Sequence, residues 1–132
     1  MASRNGIFRQ PVIVASANAD LRSHCIVQIM GQIPHIVTVT DFCDDRIPPF
    51  IRQRGILIVD EQQLPAQRHE HLAFVAARGW MKPIIVLCQT DKDHADQQRI
   101  LYLAVPVESA TIMHFIHMAG DAKPDASGLS VA

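Results

Sequence analysis

Short apolar runs alternate with longer polar or amphipathic stretches along most of this chain. The runs at residues 12–16, 35–40, 55–60, 83–88 and 100–105 are rich in Val, Ile and Leu and short enough to be strands. They are nearly continuous rather than alternating, which is the pattern of strands buried on both faces. Separated by stretches of helix length, they predict βαβ units around a mostly parallel sheet, an α/β fold.

The intervening segments carry helix signals of uneven quality. Asn18 can cap a helix with Asp20 in its first turn, with Leu21, Cys25, Gln28 and Ile29 at helical spacing and an end near Gly31. Pro48 and Pro49 force a second helix to be short or to begin after them, because proline removes an internal hydrogen bond. Pro65 suits the first turn of a third, whose stripe is Arg68, Leu72, Val75 and Ala76 and whose end is Gly79. Residues 90–93 resemble a weak cap, but 91–99 contain only Ala95 as an apolar side chain, so a fourth helix there is expected to be truncated. A last helix after Pro106 places Ile112, Phe115, Ile116 and Ala119 on one face. Residues 1–10 read as an extension, 11–119 as one domain, and 120–132 as a small, polar tail with no core to join.

Composition narrows the class. A chain of 132 residues that is 48% hydrophobic fills one core, not two. Twelve basic and thirteen acidic side chains nearly cancel, so no long-range field draws in nucleic acid or an anionic membrane. Cys25, Cys43 and Cys88 are odd in number and lie in or beside apolar runs, which suits reduced, packed thiols. No run reaches transmembrane length, and the start carries Arg4 and Arg9 but no apolar stretch of the secretory kind. The expected location is cytoplasmic.

Four segments in order resemble response-regulator receiver domains. VIVASANADLR at 12–22 is similar to their first strand and helix start, and GILIVD at 55–60 to the third strand ending in a phosphoacceptor aspartate, here Asp60. PIIVLC at 83–88 resembles the fourth strand, and YLAVP at 102–106 the fifth-strand signature. The resemblance covers nearly the whole of 11–119. It implies a flavodoxin-like, doubly wound, five-stranded parallel sheet of order 2-1-3-4-5 and a cis peptide between Val105 and Pro106.

The departures from that family bear on function. Ser16 and Ala17 stand where receivers have the acid pair that helps bind Mg²⁺, Cys88 where they have a hydroxyl, and Val105 where they have a lysine before Pro106. Magnesium takes hard oxygen ligands, so binding of that ion is expected to be weak or absent and no other cofactor is implied. Phosphoryl transfer depends on compensating the charge of the moving group, and three of the four supports are missing. The leading expectation is a stand-alone, receiver-like signalling protein that is not an enzyme. It would act through protein–protein contact without the usual aspartyl phosphorylation. Its partner would be a signalling protein such as a histidine kinase or another regulator, or a second copy of the chain. The alternatives are a phosphorelay receiver modified at Asp60 and a small-molecule sensor using the crevice emptied of acids.

Other candidate chemistry is thinner. His69 and His71 diverge on a helix and read as surface histidines. His114 and His117 share a face but lack the further ligands a zinc site needs, so no metal is expected. Asp44 and Asp45 before Arg46 read as a polar turn. Met113 and Met118 flank those last-helix histidines, either as a soft partner surface or as core edges. A Gly-rich phosphate loop, a serine elbow and a His-Glu-x-x-His pattern are absent from the sequence.

Overall fold

A computed structural model describes residues 10–89, 94–96 and 99–121, with 94–96 described by their backbone alone. The strands are β1 (Val12–Ala15), β2 (Ile36–Val39), β3 (Ile56–Asp60), β4 (Ile84–Cys88), β5 (His94–Asp96) and β6 (Ile100–Ala104). The helices are α1 (Ala19–Ile29), α2 (Pro49–Arg54), α3 (His71–Ala76) and α4 (Ser109–Asp121). The sheet runs β2-β1-β3-β4-β6-β5. Its five long strands are all parallel, so in chain order they follow 2-1-3-4-5, a flavodoxin-like, doubly wound α/β domain.

Each of the five expected strands lies within a residue or so of its sequence position. The pleat sends alternate side chains to opposite faces, and both faces are covered. Val12, Val14, Ile56, Ile58, Ile85, Leu101 and Leu103 pack under α1 and α4 through Cys25, Ile29, Ile112, Ile116 and Ala119. Ile13, Leu57, Val59, Ile84, Val86 and Tyr102 pack on the other side against Phe42, Ile47, Leu64, Val75 and Trp80. Asn18 caps α1, its side-chain oxygen accepting from the N–H groups of Asp20 and Leu21. Ser109 donates to the Gln28 carbonyl at 2.7 Å and ties the start of α4 to α1.

Two elements depart from the sequence reading. The third helix does not begin at Pro65: a 3₁₀ turn at Arg68–Glu70 precedes α3, and Ala76, assigned to the buried stripe, is exposed. Pro65 stays outside the helix because its carbonyl accepts from the His71 ring. The truncated fourth helix is replaced by β5, antiparallel to β6, with His94 opposite Tyr102 and Asp96 opposite Ile100; residues 90–93, where its cap was expected, lie outside the described residues. The reason is reach. A parallel crossover needs about a dozen residues when a helix makes the return, because helix rises only about 1.5 Å per residue against about 3.3 Å for strand. The stretch 89–99 is short and polar in sequence, and its described residues 94–96 take the extended form that covers more distance per residue. The short α2, six residues from Pro49, is as the proline pair implies: Pro48 caps it and Pro49 stands in its first turn, where proline is tolerated.

Candidate functional site at the carboxyl ends of the strands

Open α/β sheets form a crevice beyond the carboxyl ends of their strands, at the point where strand order reverses, here between β1 and β3. Register puts Ala15 beside Val59, Asp60 beside Leu87, and Cys88 beside Ala104, so the residues that follow these strands gather at one edge. Ser16 and Asp60 meet there although far apart in sequence.

Asp60 is only 6% exposed and Ser16 is fully buried. The Ser16 hydroxyl donates to Asp60 Oδ2 at 2.8 Å and accepts from the Asn18 N–H at 3.0 Å. Asp60 Oδ1 accepts from the Gln62 N–H at 3.0 Å, which makes Asp60 the cap of the 3₁₀ turn Glu61–Gln63. Arg22 donates to the Ser16 carbonyl and fixes the loop from the other side. A buried carboxylate is tolerable when its oxygens are hydrogen-bonded, and here both are engaged inside the protein.

The remaining positions do not converge on that carboxylate. Ala17 is exposed and carries no ligand atom. Val105 is half-buried against the α1/α4 core layer, while its N–H donates to the Cys88 carbonyl at 2.9 Å. Cys88 is buried in the opposite layer with its sulfur 3.7 Å from the Leu103 carbonyl. The Val105–Pro106 peptide is cis, as the resemblance implies. A cavity of about 290 Å³ lies beside it, lined by Val105, Pro106, Glu108 and Thr111 among others. This donor set does not fit Mg²⁺: the one carboxylate is held by Ser16 and the two neighbouring positions offer a hydroxyl already in use and a methyl group. Among the described residues no group of three His, Cys, Asp or Glu is placed to hold a metal ion.

A second polar cluster was missed by the sequence reading. His71 is fully buried, not a surface histidine, whereas His69 is exposed. His71 Nε2 lies 2.7 Å from the Pro65 carbonyl and must donate to it, so Nδ1 accepts from the Tyr102 hydroxyl at 2.9 Å. The Arg68 guanidinium sits 4.2 Å above the Tyr102 ring and makes a bidentate pair with Glu61, at 2.8 and 3.2 Å. Glu61 directly follows Asp60, so the cluster connects the candidate site to the β6 face. The sequence signal was Tyr102 itself: a tyrosine within a fully buried strand needs a partner for its hydroxyl.

The last helix separates its two methionines, and only the partner-surface reading of Met113 needs correction. Met113 is 8% exposed and belongs to the core layer with Ile112 and Ile116, so it is not a partner contact. Met118 is 42% exposed, and His114 and His117 are exposed beside it. The turn at Asp44 is as expected. Asp44 Oδ1 accepts from the Arg46 N–H and the carboxylate pairs with the Arg46 guanidinium at 2.8 Å. The side-chain bond from Arg46, then its backbone N–H, hold the Asp44 carboxyl down at about 2.

The fold and site thus define a doubly wound α/β domain whose strand-end carboxylate is internally satisfied. No family model, no curated protein and no solved structure matches the chain. No helix among the described residues is long and apolar enough to cross a membrane.

Proposed function

We propose that this chain is a receiver-like signalling module that acts by protein–protein contact, with Asp60 kept as a structural residue instead of a phosphoacceptor. The observation that carries the proposal is the Ser16–Asp60 hydrogen bond at 2.8 Å. A phosphoacceptor carboxylate must present a free oxygen to the donor, next to a metal and a cation that compensate the developing charge. Here Oδ2 is taken by Ser16 and Oδ1 by the Gln62 N–H, and the position of the cation holds the half-buried, apolar Val105. Those two bonds cap a turn and join β1 to β3, which is a structural use of the same carboxylate. The partners that suit the reading are signalling proteins, a histidine kinase or another regulator among them.

Incubation with acetyl phosphate and Mg²⁺, read by mass spectrometry and phosphate-retarding gels beside Asp60→Asn, tests it. The expected result is no Asp60-dependent label under conditions that label ordinary receivers. Robust label on the wild type that disappears in Asp60→Asn overturns the proposal in favour of a phosphorelay receiver.

A further inference from the structure

The β2 edge of the sheet is open among the described residues, since β2 pairs only with β1. The Val12 N–H bonds the His35 carbonyl and the Ser16 N–H bonds the Val39 carbonyl, so residues 35, 37 and 39 direct their backbone groups toward β1. In a strand the alternate residues face the other way, which turns the N–H and C=O of Ile36 and Thr38 outward. Natural sheets blunt such edges with lysine, proline or a bulge, and the sequence of β2, Ile-Val-Thr-Val, has none of these. Because α2 is short, it leaves an apolar groove of about 510 Å³ over this strand, lined by Val37, Val39, Ile47, Phe50 and Ile51. Val37 is 38% and Phe50 59% exposed.

We propose that a second copy of this chain pairs with it antiparallel through β2, about a two-fold axis at Val37. The geometry is self-complementary. With Val37 opposite its own symmetry mate as a non-hydrogen-bonded pair, Ile36 of each copy stands opposite Thr38 of the other, and their outward groups form the hydrogen-bonded pairs. The two Val37 side chains meet on the groove face, flanked by Phe50 from each copy. Charge agrees with this orientation. The exposed Asp41 and Asp45 follow the carboxyl end of β2, where Asp44 and Arg46 at the groove rim offset each other, while exposed Arg54, one helical turn after Phe50, lies on the same side of α2. Antiparallel pairing sets the acidic end of one copy toward Arg54 of the other, whereas parallel pairing would set like against like. The result is a continuous sheet across both copies. It leaves the Asp60 site and α4 free, so it goes beyond the proposed function and does not depend on it.

Sedimentation velocity and light scattering over a concentration series test the pairing on the full chain. The wild type is expected to move from 14.7 kDa to twice that mass. Thr38→Pro removes an N–H that points away from β1, and proline is tolerated on edge strands, so the variant should stay at the monomer mass with an unchanged circular dichroism spectrum. Val37→Lys, which sets two ammonium groups across the axis, should do the same. Arg54→Glu should weaken association about tenfold at low salt. Across the axis the Cα atoms of such a pair lie about 4.5 Å apart, so Val37→Cys in a Cys43→Ser background should yield a disulfide-linked dimer on mild oxidation. A wild type that stays at the monomer mass throughout overturns the proposal. So does a dimer that survives both Thr38→Pro and Val37→Lys.

Discussion

Replacing Tyr102 by Phe deletes one oxygen from a position with no solvent exposure and leaves the ring where it is. What changes is His71. Its Nε2 stays committed to the Pro65 carbonyl, and Nδ1, fully buried, loses the hydroxyl 2.9 Å away. A buried acceptor left without a donor costs about 1–3 kcal/mol, more than the net worth of an ordinary hydrogen bond, because the group cannot return to water. With about 2 kcal/mol lost and a urea m-value of about 2 kcal/mol/M, the unfolding midpoint should fall by about 1 M with the slope unchanged. His71→Leu takes the ring N–H from the Pro65 carbonyl and one partner from the Tyr102 hydroxyl, and should cost at least as much. The double variant removes donor and acceptor together, so its loss should be smaller than the sum of the single losses by about 1 kcal/mol or more. Urea unfolding followed by tryptophan fluorescence reads all four proteins through Trp80, which is buried in the same layer. A Tyr102→Phe variant within about 0.3 kcal/mol of the wild type, or a double variant whose loss is the plain sum, would refute the argument that His71 depends on Tyr102.

Other outcomes follow from burial and close approach. Met113→Glu puts a carboxylate into the α1/α4 layer and should cost about 3 kcal/mol or prevent folding, while Met118→Glu on the exposed side should stay within about 0.5 kcal/mol in the same urea assay. In Gly55→Ala the new Cβ would stand 2.5 Å from Ile13 Cδ1 and 2.6 Å from the Ile51 carbonyl oxygen, and because the second contact is backbone, a loss of about 1–3 kcal/mol is expected. The Asp44 carboxyl, held at about 2 against an ordinary 3.8, should titrate near that lower value by NMR. Its folded value lies below its unfolded one, so its favourable contribution is present above pH 4 and fades as pH falls toward 2; a midpoint near 3.8 would show that the Arg46 bonds do not persist in solution.

The sequence by itself determined the layered architecture, because that depends on local period. Continuous apolar runs such as those at 55–60 and 83–88 can only be satisfied by cover on both faces, and the Asn18 cap and the proline pair at 48 and 49 act through neighbouring backbone groups. Strand order came from the resemblance, not the period, and the tertiary structure bears it out. The candidate site was legible in part: Asp60 at a strand end was readable from position, and the missing acids and lysine from the departures at Ser16, Ala17 and Val105. That Ser16 would supply the hydrogen bond engaging Asp60 Oδ2 was not readable, since β1 and β3 bring them together only once the sheet forms. His71 was misplaced, and Met113 left open between partner surface and core edge, for the same reason. Their own helices offer a polar or an edge position, and only the facing layer decides burial, through a tyrosine on β6 for one and the apolar face of the sheet for the other. Residues 94–96 form a strand against their weak helical pattern because backbone groups along β6 offered partners that a short polar segment could not find within itself. Period is a property of neighbours along the chain; burial, pairing and the satisfaction of buried polar groups belong to neighbours in space.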